Sequence, residues 1–194
     1  MKYMFFDIRN MSAQEYKTWY SCMSDNKRCR VDRYRTPADK KRSVVGDMLA
    51  KKAVAEYYGI KAEQVILRSD DKGKPFVADL PVHVSISHAG DLVAVAVSGL
   101  AVGIDIEKFR PTDLKVVNRI CTDGEKAYIF ESEALKNRRF FEIWTAKEAH
   151  FKRLGVGIAA DWSHYDSKLE KDCTYVDVPE GYVCAISQSM EREI

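Results

Sequence analysis

Val102-Gly103-Ile104-Asp105-Ile106-Glu107 is the stretch from which the rest of the chain is best read. Apolar residues alternate with glycine, aspartate and glutamate, the period-two pattern of a half-buried strand. Alternate side chains of a strand share a face at roughly 6.5–7 Å along the chain. With Ile104 and Ile106 packed inward, Asp105 and Glu107 point the other way. Gly103 lies on that same face and leaves room for a ligand to approach the backbone. Two neighbouring carboxylates repel, and a divalent cation is the usual reason to keep them together. Taken alone, the pair reads equally as an exposed edge strand with two solvated acids.

A second string, Trp144-Thr145-Ala146-Lys147-Glu148-Ala149-His150-Phe151-Lys152, changes that balance. The spacing predicts a helix over residues 140–154, stopped by Gly155, with Phe140, Trp144, Phe151 and Leu154 as its apolar stripe. Phe141, Glu148 and Lys152 flank the stripe, because residues i and i+4 stack on one helix face. Glu148 and Lys152 by themselves would make a surface ion pair of small worth. Lys147 falls in the middle of the stripe, where lysine is rarely buried without a partner. Either its stem snorkels outward or its ammonium meets an anion inside a cleft. Three acids with lysines are what a protein needs to hold a divalent cation against a phosphate.

Working outward, Val82, Val84 and Ile86 alternate with His83, Ser85 and Ser87, and residues 92–97 form a continuous apolar run. Together with residues 102–107 these predict a three-stranded sheet. The first of these strands ends in Ser85-Ile86-Ser87-His88-Ala89-Gly90, where Ser87, His88 and backbone N–H groups could hold a phosphate. Upstream, Thr36 as N-cap and Pro37 at the first helical position open a long helix that Gly59 ends. Arg42 sits on the margin of that helix's buried side. Gly73-Lys74-Pro75 is a turn that presents a lysine. From Asp113 the pattern becomes helical, with a capping box at Thr122 and Glu125. Residues 175–178 and 182–187 read as strands. Residues 181–187 echo 91–98, so a helix-rich stretch followed by strands occurs twice. This predicts two similar lobes, residues 1–102 and 103–194.

The 194 residues carry a net charge of +2, 46% hydrophobic and 31% charged side chains, an ordinary soluble composition that excludes little. Lys27, Arg28, Arg30, Arg33, Arg35, Lys40, Lys41 and Arg42 crowd one early stretch, which suits phosphates or an acidic partner. Aromatic residues are not interleaved with them as on a single-strand nucleic-acid platform, so no nucleic acid is expected. No glycine-rich nucleotide loop is present. Five cysteines without a C-x-x-C pair fit a reducing cytoplasm. No run approaches the ~18 apolar residues of a membrane span, and the apolar run in residues 1–7 is too short for a signal peptide.

In order, Arg42 with Gly46-Asp47, Gly73-Lys74-Pro75, Ser87-His88, Gly103 to Glu107, and Trp144-x-x-Lys147-Glu148-x-x-x-Lys152-x-x-Gly155-x-Gly157 resemble the 4′-phosphopantetheinyl transferases, in particular their larger, surfactin-synthetase-activating type. That resemblance implies an α/β (α+β) fold of two pseudo-symmetric lobes. Each would be a small, mainly antiparallel sheet packed with helices, with the active site in the cleft between them. It implies a monomer that transfers the 4′-phosphopantetheine of coenzyme A to a serine of an apo acyl or peptidyl carrier protein, releasing adenosine 3′,5′-bisphosphate. Asp105, Glu107 and Glu148 match the magnesium ligands, with Mn²⁺ a possible substitute. Glu148 and Lys152 match the catalytic pair, Glu148 drawing the serine proton and Lys152 steadying the pyrophosphate. Arg42, Lys74, Ser87 and His88 match the adenylate end, Lys147 and Lys152 adding cations toward coenzyme A; Lys27 and Arg28 align only loosely. The alternatives are a non-catalytic coenzyme A or carrier-binding module, and a different magnesium-dependent phosphotransferase.

Overall fold

In the computed structural model, which describes residues 1–71, 73–156, 162–170 and 172–190, the chain folds as two compact units, Met1–Gly99 and Leu100–Ile194. The first unit carries strands β1 (Lys2–Asp7), β2 (Leu67–Ser69), β3 (Pro75–Val77), β4 (His83–Ala89) and β5 (Leu92–Ser98). Its helices are α1 (Ala13–Ser21), α2 (Asp25–Asp32) and α3 (Pro37–Tyr58). The strands form one antiparallel sheet in the order β1-β5-β4-β3-β2. Every residue of β5 is buried, as its unbroken apolar run requires of a central strand.

Helix α3 forms where Thr36 caps the N–H of Asp39 at 3.0 Å, and it ends at Gly59, whose φ of 68° suits glycine. Val44, Val45, Leu49 and Val54 on α3 and Val93, Val95 and Val97 on β5 belong to one buried core. Each such side chain contributes roughly 1.5–3 kcal/mol by leaving water. Gly46 lets the helix lie close to β4, since a Cβ there would stand 3.1 Å from Ile86.

The second unit carries β6 (Val102–Lys108), β7 (Cys173–Val176) and β8 (Tyr182–Gln188) in the antiparallel order β6-β8-β7. Its helices are α4 (Leu114–Ile120), α5 (Asp123–Phe130) and α6 (Lys136–Leu154). The capping box at Thr122 and Glu125 opens α5, and Gly155 closes α6 with a φ of 70°. The core gathers Val117, Ile120, Ile129, Phe140, Phe141, Ile143, Phe151 and Trp162. Leu154, expected in the apolar stripe, is instead exposed at the helix end.

The two units share an internal plan. In each, the first strand pairs antiparallel with the last, β1 with β5 and β6 with β8. In each, a long helix packs on that pair, α3 in the first unit and α6 in the second. The echo between residues 91–98 and 181–187 is thus the echo of two interior strands. The expectation of a single sheet over residues 82–107 needs correction. Both edges of β5 are taken, by β1 and β4, so β6 has no edge there to join and pairs along its whole length with β8.

Candidate active site

The register of β6 puts Asp105 opposite Ala185 and Glu107 opposite Val183, and both acids face helix α6. The reason is Gly103. A Cβ at that position would lie 2.0 Å from the carbonyl oxygen of Ala149 and 2.5 Å from the N of Arg153. The helix backbone therefore lies directly on the strand at Gly103, and the space expected there for a ligand is filled by α6. Beyond this contact point, helical spacing from Ala149 brings Glu148 and Lys152 to the carboxylates.

Asp105 is buried, and its Oδ1 accepts from Lys152 Nζ at 2.6 Å. Lys152 therefore reaches across from helix to strand. Glu107 accepts from Trp144 Nε1 at 2.9 Å through Oε1 and from Arg110 Nη1 at 2.8 Å through Oε2. Glu148 is pushed up to about 7, first by burial and then by the negative charges of Asp105 and Glu107, against the pull of Lys152. Burial is the main reason the carboxyl sits in that range, with the neighbouring acids adding to it and Lys152 opposing them. Trp144, Glu148 and Lys152 follow one another at i, i+4 and i+8 on α6. That spacing was the signal that could have joined Trp144 to the site rather than to the apolar stripe. Arg110, three residues past Glu107, had no such signal.

The donor chemistry of these residues suits a hard divalent cation: carboxylate oxygens in a half-buried cluster. Among the described residues no three acids, histidines or cysteines are gathered tightly enough to hold a metal as they stand. Asp105, Glu107 and Glu148 are the residues that would hold such an ion.

Lys147 belongs to a different construction. It is wholly buried and pairs with Glu125, equally buried, at 2.9 Å. Its ammonium also donates to the carbonyls of Trp162, at 2.8 Å, and Tyr165. All three N–H donors are thus used inside the unit, and the assignment of Lys147 to coenzyme A is corrected to a structural ion pair. Glu125 in turn accepts from Thr122 N at 2.9 Å and from Ser167 N and Oγ at 2.9 and 2.8 Å. Next to this pair, Asp172 Oδ2 accepts from Ser187 at 2.9 Å and Arg153 at 3.1 Å and meets His150 Nδ1 at 2.6 Å. Tyr165 donates to Asp172 Oδ1 at 2.6 Å. Burial alone would raise the Asp172 carboxyl, but the hydrogen bonds from Tyr165, His150 and Ser187 outweigh it and hold it far below the usual range. Gly157, part of the sequence motif, lies outside the described residues.

The first unit has its own candidate site, a cavity of about 990 Å³ whose lining includes Lys27, Arg30, Arg42, Arg68 and His88. Arg42 donates to the Gly90 carbonyl at 2.7 Å and to Asp39 at 2.5 Å. Its Nε is buried with no hydrogen-bond partner among the described residues. Lys27 is lowered chiefly by burial, while Asp47 raises it and Arg30 and Lys51 lower it further. Ile86 and His88 on β4 line the cavity. Ser87 between them points to the opposite, buried face of the strand and is not among the lining residues. Gly73 and Pro75 line it but Lys74 does not. Arg28 is turned back, pairing with Asp25 and donating to the Ser21 and Met23 carbonyls. Arg30 and Arg68 were missed as individuals: Arg30 stood undistinguished in the basic run, and Arg68 lies on a three-residue strand without pattern.

Comparison with known proteins matches the two units separately. Residues 101–185 match the family model of the 4′-phosphopantetheinyl transferase superfamily, and residues 10–99 match that of the 4′-phosphopantetheinyl transferase N-terminal region. The two matches meet where the two structural units do. The chain belongs to the 4′-phosphopantetheinyl transferase superfamily. It is 34% identical over 152 residues to the 4′-phosphopantetheinyl transferase psf-1 of Bacillus pumilus, covering 77% of this chain and 65% of that one. To the 4′-phosphopantetheinyl transferase gsp of Aneurinibacillus migulanus it is 35% identical over 141 residues, covering 71% and 58%. To the 4′-phosphopantetheinyl transferase Sfp of Bacillus subtilis strain 168 it is 28% identical over 166 residues, covering 84% and 74%. The match thus spans less than two thirds of the length of the first two relatives.

Proposed function

We propose that this protein transfers the 4′-phosphopantetheine group of coenzyme A to a serine of an apo carrier protein. The observation that carries this is the meeting of β6 and α6, where Asp105, Glu107, Glu148 and Lys152 form one coupled cluster. Attack of a serine hydroxyl on a phosphoanhydride asks mainly for positioning and charge neutralisation.

In this reading Asp105, Glu107 and Glu148 hold Mg²⁺, which neutralises the pyrophosphate when bound. Glu148, with a carboxyl pushed up to about 7, is poised to accept the serine proton near neutral pH. Lys152 reaches the same cluster from one helical turn further on and supplies a cation for the leaving adenosine 3′,5′-bisphosphate. Arg42 and His88 line the cavity of the first unit and are assigned to the phosphate-bearing adenylate end, with Lys27, Arg30 and Arg68 beside them. Both family halves lie on one chain, which supports action as a monomer. No helix among the described residues is long and apolar enough to cross a membrane.

Mass spectrometry tests the reaction directly. Apo carrier proteins of the fatty-acid, polyketide and peptide-synthetase kinds are incubated with the protein, coenzyme A and Mg²⁺. Gain of one phosphopantetheinyl group on a serine, lost in chelator, is the expected result. Binding of coenzyme A with no mass gain on any carrier would leave the protein a binding module.

A further inference from the structure

Glu107 is gripped at both oxygens by donors of unlike character. Trp144 Nε1, part-buried on α6, holds Oε1 at 2.9 Å and is neutral. Arg110 Nη1 holds Oε2 at 2.8 Å from a side chain that is 56% exposed. Apart from Glu107, the guanidinium touches the Lys108 carbonyl at 3.3 Å and lies 4.6 Å over the Phe141 ring. The indole is held within α6, whereas the arginine lies at the surface in contact with water.

We propose that Arg110 is the resident counter-cation of Glu107, displaced when a divalent ion binds, so that it sets the metal affinity of the site. The proposal rests on the assignment of Asp105, Glu107 and Glu148 as metal ligands. An exposed arginine–carboxylate pair is worth a factor of about five at most. A divalent ion offers a hard, doubly charged partner to several carboxylates at once and outcompetes it. While it stays, the guanidinium limits the repulsion between Glu107 and its acidic neighbours and so keeps the cluster assembled without metal. Its positive charge is also a local repulsion that an arriving cation must overcome.

Electron paramagnetic resonance of Mn²⁺ tests this without any turnover, since the signal of the free hydrated ion falls as the protein binds it. The titration is run on the wild type, Arg110→Gln, Arg110→Lys and Lys108→Gln, each with and without coenzyme A. Arg110→Gln should bind Mn²⁺ about three- to fivefold more tightly than the wild type, and Arg110→Lys should stay near it. Lys108→Gln removes the same charge from the end of β6, but that ammonium lies over the Tyr182 ring, 5.7 Å from its centroid, and the shift should be below about twofold. Unchanged or weaker binding by Arg110→Gln, or an equal shift in Lys108→Gln, would overturn the role of Arg110 and leave the metal site standing. A wild type that binds no Mn²⁺ under either condition would overturn the metal assignment itself, and this proposal with it.

Discussion

Replacing Glu148 by glutamine should stabilise the second unit above neutral pH and leave it unchanged in acid. Glutamine keeps the shape of the side chain and removes the charge that burial and the neighbouring acids oppose. A carboxyl moved from its ordinary 4.5 to about 7 carries a penalty of roughly 3 kcal/mol once ionised in the folded state. Partial contact with solvent trims this to about 2 kcal/mol. The sign follows from proton binding. Below pH 4.5 the group is protonated folded and unfolded, and it contributes nothing. Between 4.5 and about 7 the unfolded chain releases its proton while the folded one keeps it, so stability falls as pH rises. Above about 7 the whole penalty is present. Urea unfolding without divalent ions, followed by the fluorescence of Trp144 and Trp162, would measure both proteins at pH 4.5 and pH 8. The advantage of Glu148→Gln should grow by about 2 kcal/mol between those conditions. Mg²⁺ at pH 8 should narrow it by stabilising the wild type alone. An advantage that does not change with pH, or that is larger in acid, would refute the burial of Glu148 beside Asp105 and Glu107.

Gly103→Ala should cost about 3 kcal/mol in the same unfolding assay, because its Cβ would enter the backbone of α6 2.0 Å from the Ala149 oxygen; an unchanged midpoint would mean helix and strand do not touch there. Lys147→Met should cost about 3–5 kcal/mol by stranding the buried Glu125 charge. Coenzyme A affinity, measured on the folded fraction, should not move, and a selective loss of affinity would return Lys147 to the ligand. Arg42→Ala and His88→Ala should each weaken coenzyme A binding by about 1.5–3 kcal/mol in calorimetry. Both should also lose the preference for coenzyme A over its 3′-dephospho form; equal discrimination in wild type and variants would move that phosphate elsewhere.

What the sequence showed of this molecule followed the strength of local signals. Thr36, Pro37 and Gly59 bracket α3 as caps should, and the unbroken run of β5 marks a strand with neighbours on both sides. Helix α1 carried an equally good signal, the capping box of Ser12 and Glu15, that went unread because only Trp19 of the helix is buried. Strand β1 and the partner of β6 were not legible, because pairing is decided by which edges remain free. Period-two and period-3.6 spacing put Asp105 with Glu107 and Glu148 with Lys152 on one face each, but only the resemblance to the family joined the four into one site. Lys147 could not be placed, since its partner Glu125 lies 22 positions upstream on another helix. The period-two rule puts His88 on the cavity face and Ser87 on the other face of β4.

Adjacent residues on α6 show how one helix serves both stability and chemistry. Lys147 points into the unit, where Glu125 and two carbonyls satisfy every donor. Glu148, rotated by one residue, meets two further acids, and its main counterweight, Lys152, is bonded to one of them. The first arrangement repays its desolvation with complete hydrogen bonding; the second does not, and its carboxyl rises toward neutrality. A buried carboxyl of this kind is costly to fold, the kind of cost that functional sites carry. The Glu125–Lys147 pair and the Asp172 network anchor α6 to α5, to the segment around Tyr165 and to β8. They supply the rigidity that keeps Asp105, Glu107 and Glu148 from separating, and Gly103 sets the spacing at which they are held.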